Sequence, residues 1–283
     1  MLIDGTAFEE GLADVNGTRL HYVTGGSGTP LLLLPGWPRT WWQFHKVLPR
    51  LARRYRVIAV DLRGMGDSAK PVGGYDKQTM ARDVHELLTA LGHRAALVAG
   101  DDIGAMVAHA FAAHHPEAAR KVVLCEGVHP GPYVDAMPLV PRPGGPSSWW
   151  FALHQPDGLP EQLLAGRYRL VIEHVTRQLA RFPEAIDAES LDRYAAAYEQ
   201  PGAARAAAGW YRTVREDMAQ AARFPAIRMP VLALASAGNA AAVAGALAAT
   251  VPDARHHEVA DTGHYVAEEN PDGYADALIS FFG

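Results

Sequence analysis

Gly100-Asp101-Asp102-Ile103-Gly104 places two adjacent carboxylates between glycines, where the apolar run "ALVAG" gives way to a segment with helical spacing. The pattern fits G-x-Nu-x-G, the strand-to-helix elbow that projects a nucleophile from the end of a sheet. The third of the five positions stands at the apex, so Asp102 is the candidate nucleophile and Asp101 its flank. Serine is the usual occupant of that apex. A carboxylate there attacks an electrophilic sp3 carbon and forms an alkyl ester. That chemistry opens epoxides or displaces halide and is not acyl transfer. Glycine-flanked acids also occur in purely structural turns, so the elbow needs partners elsewhere in the chain.

Two partners follow in the order nucleophile, acid, histidine, which is the chain order of triads built on this elbow. Near the C-terminus "DTGHYVAEENP" carries His264, the candidate base. For the acid that orients it, two strand ends compete. After "VLALAS" the only polar candidate in "SAGNAAA" is Asn239, which is no carboxylate; after "VVLC" stands Glu126. An orienting group must be ionised and close to the imidazole, which favours Glu126. Asp261 is a third choice, because it lies too near His264 in sequence for the usual approach.

Elements that position these residues can be read along the chain. "RLHYVT" alternates, "GGSG" turns, and "PLLLLPG" is an apolar run suited to a buried strand. "GGSG" reads as a hairpin turn and not as a phosphate-cradling loop, since no Gly-Lys-Ser/Thr follows it. Next come a helical pattern ("TWWQFHKVLPRLARRY"), a strand ("RVIAV"), a helix ("QTMARDVHELLTALG"), a strand ("AALVAG"), a helix over Ile103 to His114 and the strand "KVVLCEG". After Val128, "HPGPYVDAMPLVPRPGGPSS" is Pro/Gly-rich and expected to be irregular. From Trp149 to Arg223 every pattern is helical, with Leu164, Tyr168, Val171 and Val175 on one stripe. Strand and helix then alternate again through "PVLALAS", "AAVAGALAAT", "RHHEVA" and "PDGYADALISFF". The expectation is an α/β fold: a mostly parallel sheet with helices on both faces and an inserted helical cap. Residues 1–131 and 226–283 form the core, and residues 132–225 the cap.

Composition narrows the function classes. The net charge of −5 offers no footprint for nucleic acid or an anionic membrane. Cys125 is the one cysteine, so an intrachain disulfide is excluded and a cytoplasmic setting is expected. The acid-bearing N-terminus lacks a secretory pattern, and no apolar run approaches the roughly 18 residues of a membrane span. The expected partner is a small-molecule substrate, with neither nucleic acid nor membrane; a homodimer is compatible with this reading.

"PGWP", "DLRGMGDS", "GDDIGA", "EGVHPGP", "WWFALHQPDGLPE", "GWYR" and "DTGHYVAEENP" together resemble the α/β-hydrolases of the epoxide hydrolase and haloalkane dehalogenase group over nearly the whole chain. The resemblance implies that Asp102 attacks carbon and that His264 activates the water that hydrolyses the ester. It also implies an oxyanion hole from the backbone N–H groups of Ile103 and Trp37, such donors contributing about 3 kcal/mol each. Epoxide hydrolases of the group hold and protonate the epoxide oxygen with cap donors. Tyr211 in "GWYR" matches the second of these, and Trp150 stands nearest the first. An indole can donate a hydrogen bond but cannot release a proton, so Tyr211 is the expected acid. Trp37, Trp149, Trp150 and Tyr211 suggest an aromatic-lined pocket for a bulky, flat substrate.

The sequence departs from the family it resembles at Pro35, where His is typical, and at Asp101, where His is frequent. Asp101 adds a negative charge beside the nucleophile, so its side chain is expected to turn away toward solvent or a cation. Ile103 follows the nucleophile where haloalkane dehalogenases have Trp and fluoroacetate-specific relatives have Arg, which favours epoxide opening. A dehalogenase using Trp149 and Trp150 as halide donors, an esterase, and a non-catalytic ligand-binding homologue are the other readings. The pairs His114-His115 and His256-His257 lack metal-ligand spacing, and neither a metal nor a cofactor is expected.

Overall fold

A computed structural model of the chain describes residues 1–140 and 147–283. Ten strands run β1 Leu2–Ile3, β2 Thr6–Ala7, β3 Glu9–Val15, β4 Thr18–Gly25, β5 Thr29–Leu34, β6 Tyr55–Val60, β7 Ala96–Asp101, β8 Ala119–Cys125, β9 Val231–Ser236 and β10 Arg255–Val259. Core helices are α1 Leu48–Leu51, α2 Lys77–Ala90 and α3 Ile103–His114. Between β8 and β9 come α4 Trp149–Leu153, α5 Leu159–Leu164, α6 Tyr168–Leu179, α7 Ala188–Tyr198, α8 Ala203–Arg212 and α9 Val214–Ala221. The chain closes with α10 Ala240–Leu247, α11 Val266–Glu269 and α12 Pro271–Phe282.

Eight strands form one sheet in the order β10-β9-β8-β7-β5-β6-β4-β3, and β1 pairs with β2 apart from it. β3 and β4 are antiparallel to their neighbours; the pairings from β6 across to β10 are all parallel. The alternation of the strands sorts the core into two layers. Leu32, Leu34, Val98, Val122 and Leu124 face Met80, Val84 and Phe111 of α2 and α3. Leu31, Leu33, Leu97, Val123 and Cys125 face Phe44, Leu48, Tyr274 and Leu278. "LLLL" is uninterrupted because β5 is covered on both sides, as parallel strands are.

The inserted helices share the first layer and are tied to the core by buried charge. Lys77 Nζ meets Asp217 Oδ2 at 2.8 Å with both side chains inaccessible to solvent, which joins α2 to α9. Arg39 Nε meets Glu268 Oε2 at 2.7 Å. The same arginine donates to Thr176 Oγ1 of α6, and Tyr194 of α7 donates to Glu268.

Several expectations change. "GGSG" joins two strands that are not neighbours: β6 lies between β4 and β5, so the turn makes no hairpin. The helix expected from Thr40 to Tyr55 shrinks to a 3-10 turn at Trp41–Phe44 and the single turn α1, in which Pro49 takes the second position, where a missing N–H is tolerated. The helical stripe from Leu164 to Val175 is interrupted, because Gly166 takes a left-handed φ of 67° and separates α5 from α6. Ile172, fully buried, takes the place expected of the half-buried Val171. The Pro/Gly-rich stretch contains a 3-10 turn at Pro132–Ala136; its residues 141–146 lie outside the described residues.

Candidate active site

β7 ends at Asp101 and α3 begins at Ile103, which leaves Asp102 alone at the turn with φ 53° and ψ −115°. A non-glycine residue in that region is strained and is held there by its surroundings. Gly104 is what lets the turn close: a Cβ on it would collide with the carbonyl of Leu34 at the end of β5. The Asp102 side chain is consequently delivered against the loop after β5. There Trp37 N–H donates to Oδ1 at 2.9 Å. Ile103 is the first residue of α3, so its N–H has no partner within the helix; its side chain is buried in the core.

The other oxygen of Asp102, Oδ2, lies 3.5 Å from His264 Nε2. His264 Nδ1 is 3.0 Å from Glu126 Oε2. Glu126, itself at φ 53° after β8, is held by Ser236 at the end of β9: the backbone N–H and the hydroxyl both donate to Oε1, at 2.6 and 2.9 Å. Asn239 donates to Oε2 at 3.0 Å. Thus the two strand ends that competed for the orienting role converge on one carboxylate, with the amide supporting the acid. Asp261 lies apart, exposed and paired with Arg181. Burial pulls the His264 imidazole down, but Asp102 and Glu126 on its two nitrogens push it up to about 10. The resting imidazole is therefore protonated.

Asp101 is corrected. Its side chain is buried and meets neither solvent nor a cation among the described residues; Tyr274 Oη donates to Oδ1 at 2.8 Å and Gln43 Nε2 to Oδ2 at 3.0 Å. Burial pushes this carboxyl up to about 8, against the opposing effect of Tyr274. Burial thus favours the neutral acid and lessens the negative charge beside the nucleophile.

Aromatic residues gather on the other side of Asp102. Tyr211 of α8 is buried, 5.7 Å edge-on from the Trp37 ring, and stacked at 4.8 Å on His154. Burial and then the charge of Asp102 raise its phenol well above the ordinary value, opposed by the indole of Trp150 at its hydroxyl. Trp150 thus stands beside Tyr211, with its indole near the phenol oxygen. The Trp149 indole N–H donates to Gln178 Oε1 at 2.9 Å, which engages it within the inserted helices. The Trp37 indole N–H is buried without a partner among the described residues. His154 takes a neutral form, its pKa lowered by burial to about 4.

Gln43, Ser236, Tyr265 and Tyr274 were not visible as site residues from sequence. Tyr265 lines the cleft with Trp37, Asp102 and His264, and its buried hydroxyl has no hydrogen-bond partner among the described residues. Only its place directly after His264 in "GHYV" hints at it. Elsewhere, His85, His115 and Glu117 bring ligand atoms within 4.8 Å of one another. The two imidazoles are stacked in parallel at 4.1 Å, so their lone pairs run side by side instead of converging on an ion.

Comparison with known proteins gives the family. The family described as alpha/beta hydrolase fold matches residues 29–271. A soluble epoxide hydrolase of Corynebacterium sp. (strain C12) is 34% identical over 95% of this chain and 96% of its own length. A fluoroacetate dehalogenase of Burkholderia sp. is 32% identical over 72% of this chain and 69% of its own. Among solved structures, the epoxide hydrolase CorEH superposes with a TM-score of 0.84 at 32% identity, covering 98% of this chain and 99% of that one. The chain belongs to the alpha/beta hydrolase fold family, and within it is an epoxide-hydrolase-type enzyme.

Proposed function

We propose that the protein opens a bulky or aromatic epoxide to a diol through a covalent alkyl ester on Asp102. The observation that carries this reading is the division of the Asp102 carboxylate, with Oδ1 on the Trp37 N–H and Oδ2 toward His264. Oδ2, outside the N–H site, attacks an epoxide carbon. The carbon–oxygen bond breaks, its electron pair goes to the epoxide oxygen, and Tyr211 supplies the proton there. Alkylation leaves Oδ1 as the ester carbonyl oxygen, already in the N–H site where an oxyanion will form.

The second half-reaction needs a neutral imidazole. Alkylation cancels the Asp102 charge that, with Glu126, held the His264 proton, so the pKa falls when a base is required, and the released proton restores the Tyr211 phenol. His264 then takes a proton from water as its oxygen attacks the Asp102 carbonyl carbon. The tetrahedral intermediate collapses, the diol leaves with a proton from imidazolium, and Asp102 retains the oxygen of water while its remaining proton passes to His264, restoring the resting pair. The inserted helices, residues 132–225, act as the cap that carries Tyr211 and excludes water. Trp37 and Trp150 form apolar walls, and neither metal nor cofactor enters the scheme.

A dehalogenase is the second reading, favoured by the likeness to the Burkholderia fluoroacetate dehalogenase. Against it stand Ile103 after the nucleophile and the engagement of the Trp149 indole with Gln178. Assaying diol formation and halide release on matched aromatic substrates decides between them. Diol from the epoxide with no halide release supports the proposal; halide release without epoxide turnover overturns it. A non-catalytic homologue would turn over neither substrate, and Asp102→Asn would leave its ligand binding intact.

A further inference from the structure

Asp101 is the middle link of a buried hydrogen-bond chain whose far end, at Gly36, adjoins Pro35. This chain runs from Tyr274 Oη of α12 to Asp101 Oδ1 at 2.8 Å and from Gln43 Nε2 to Asp101 Oδ2 at 3.0 Å. It ends where the Gly36 N–H donates to Gln43 Oε1 at 3.0 Å. Gly36 directly precedes Trp37, whose N–H holds Asp102. We propose that Gln43 and Asp101 are positioning residues that hold the Gly36–Trp37 backbone, and through it the oxyanion site, by this chain.

The polarity of the chain follows from its end. Gly36 N–H can only donate, so the Gln43 amide must present its oxygen there and its NH2 to Asp101. Asp101 must accept at Oδ2, so a proton on this carboxyl can sit only on Oδ1, where the Tyr274 oxygen would then accept in place of donating. A carboxylic acid satisfies this arrangement, and so does a carboxylate. An apolar side chain at either position leaves a buried donor unpaired, which costs about 1–3 kcal/mol and releases the loop. Pro35 has neither an N–H nor a polar side chain, so the segment before Gly36 offers no replacement anchor. Room is also limited: a Cβ on Gly36 would collide with the Asp102 side chain, so the loop cannot shift toward the nucleophile to recover its contacts.

This role rests on the ester mechanism and makes a distinctive claim within it. The Trp37 N–H has its largest effect on the oxyanion formed during ester hydrolysis, and a smaller one on alkylation. Gln43→Met and Asp101→Leu should therefore slow decay of the alkyl-enzyme far more than its formation, on the order of a hundredfold for one misplaced donor. Ester should accumulate in single-turnover experiments read by intact mass. Asp101→Asn, whose carbonyl can face Gln43 and whose NH2 can face Tyr274, should restore decay to within a few-fold of the parent. Equal slowing of both steps, or Asp101→Asn as impaired as Asp101→Leu, overturns the proposal. A second measurement needs no substrate: hydrogen exchange of the Gly36 and Trp37 amides should quicken selectively in Gln43→Met, and unchanged exchange overturns the proposal. If the parent forms no ester on Asp102, it is the ester mechanism that fails, while the exchange measurement still decides the positioning role.

Discussion

At the scale of single residues, the site depends on one imidazole with a carboxylate at each nitrogen. His264→Gln should still permit alkylation and then trap the ester, since only the second half-reaction needs a base; intact mass should show the adduct persisting, and its absence counts against the assignment. Decay of the wild-type ester should speed up as pH rises, because the working form of His264 is neutral, and level off below the resting value of about 10, since esterification has removed the Asp102 charge. A decay rate that is flat or falls with rising pH contradicts this. Glu126→Gln should slow hydrolysis by a factor on the order of a hundred. Asn239→Ala should cost less, because Ser236 still makes two bonds to the same carboxylate. Tyr211→Phe should cut alkylation more than Trp150→Phe does, since only the phenol can deliver a proton. The opposite ranking in burst kinetics would shift the acid role away from Tyr211.

At the scale of elements, legibility followed local chemistry. The elbow, α3 and α12 were readable to the residue, because glycine spacing, capping and helical period are all encoded nearby in the chain. Pairing was not readable: nothing in "GGSG" reports that β6 will come between β4 and β5, since that partner lies some thirty residues on. The fate of Asp101 was hidden for the same reason. Its donors come from the turn at Gln43 and from Tyr274 in α12, so charge rules applied to neighbours alone sent it to solvent. The Lys77–Asp217 pair that ties α2 to α9 is equally non-local. Lys77→Met should leave Asp217 buried and uncompensated, at a cost of about 3–5 kcal/mol. Adding Asp217→Leu should recover most of the loss, which urea unfolding of the two variants can measure. A double variant no more stable than the single one would show that the pair itself carries the junction.

At the scale of the whole molecule, the alternating first half and the helical insertion were visible in sequence because periodicity changes from strand–helix alternation to unbroken helix. How the insertion meets the sheet was not, since its ties are buried polar bonds between distant segments. The same burial has a consequence for pH. His109, His129 and His154 are held neutral, burial lowering the first two to about 3 and the third to about 4. An unfolded chain protonates these groups near 6.5, so their contribution is fully present above that pH and is lost as pH falls toward the folded values. Each can lower the folding constant about tenfold per pH unit across that window. Stability should therefore drop steeply between roughly pH 6.5 and 4, and a His109→Phe/His129→Gln double variant should show a shallower drop by thermal denaturation.

The central claim is that Asp102 becomes covalently attached to substrate and is regenerated by water. A single turnover of an aromatic epoxide in heavy-oxygen water, followed by mass analysis of both the diol and the peptide containing Asp102, tests it directly. Ester hydrolysis places the heavy oxygen on Asp102 and leaves the first diol unlabelled. A labelled diol with unlabelled Asp102 would mean that water attacks the epoxide itself, and would contradict the account.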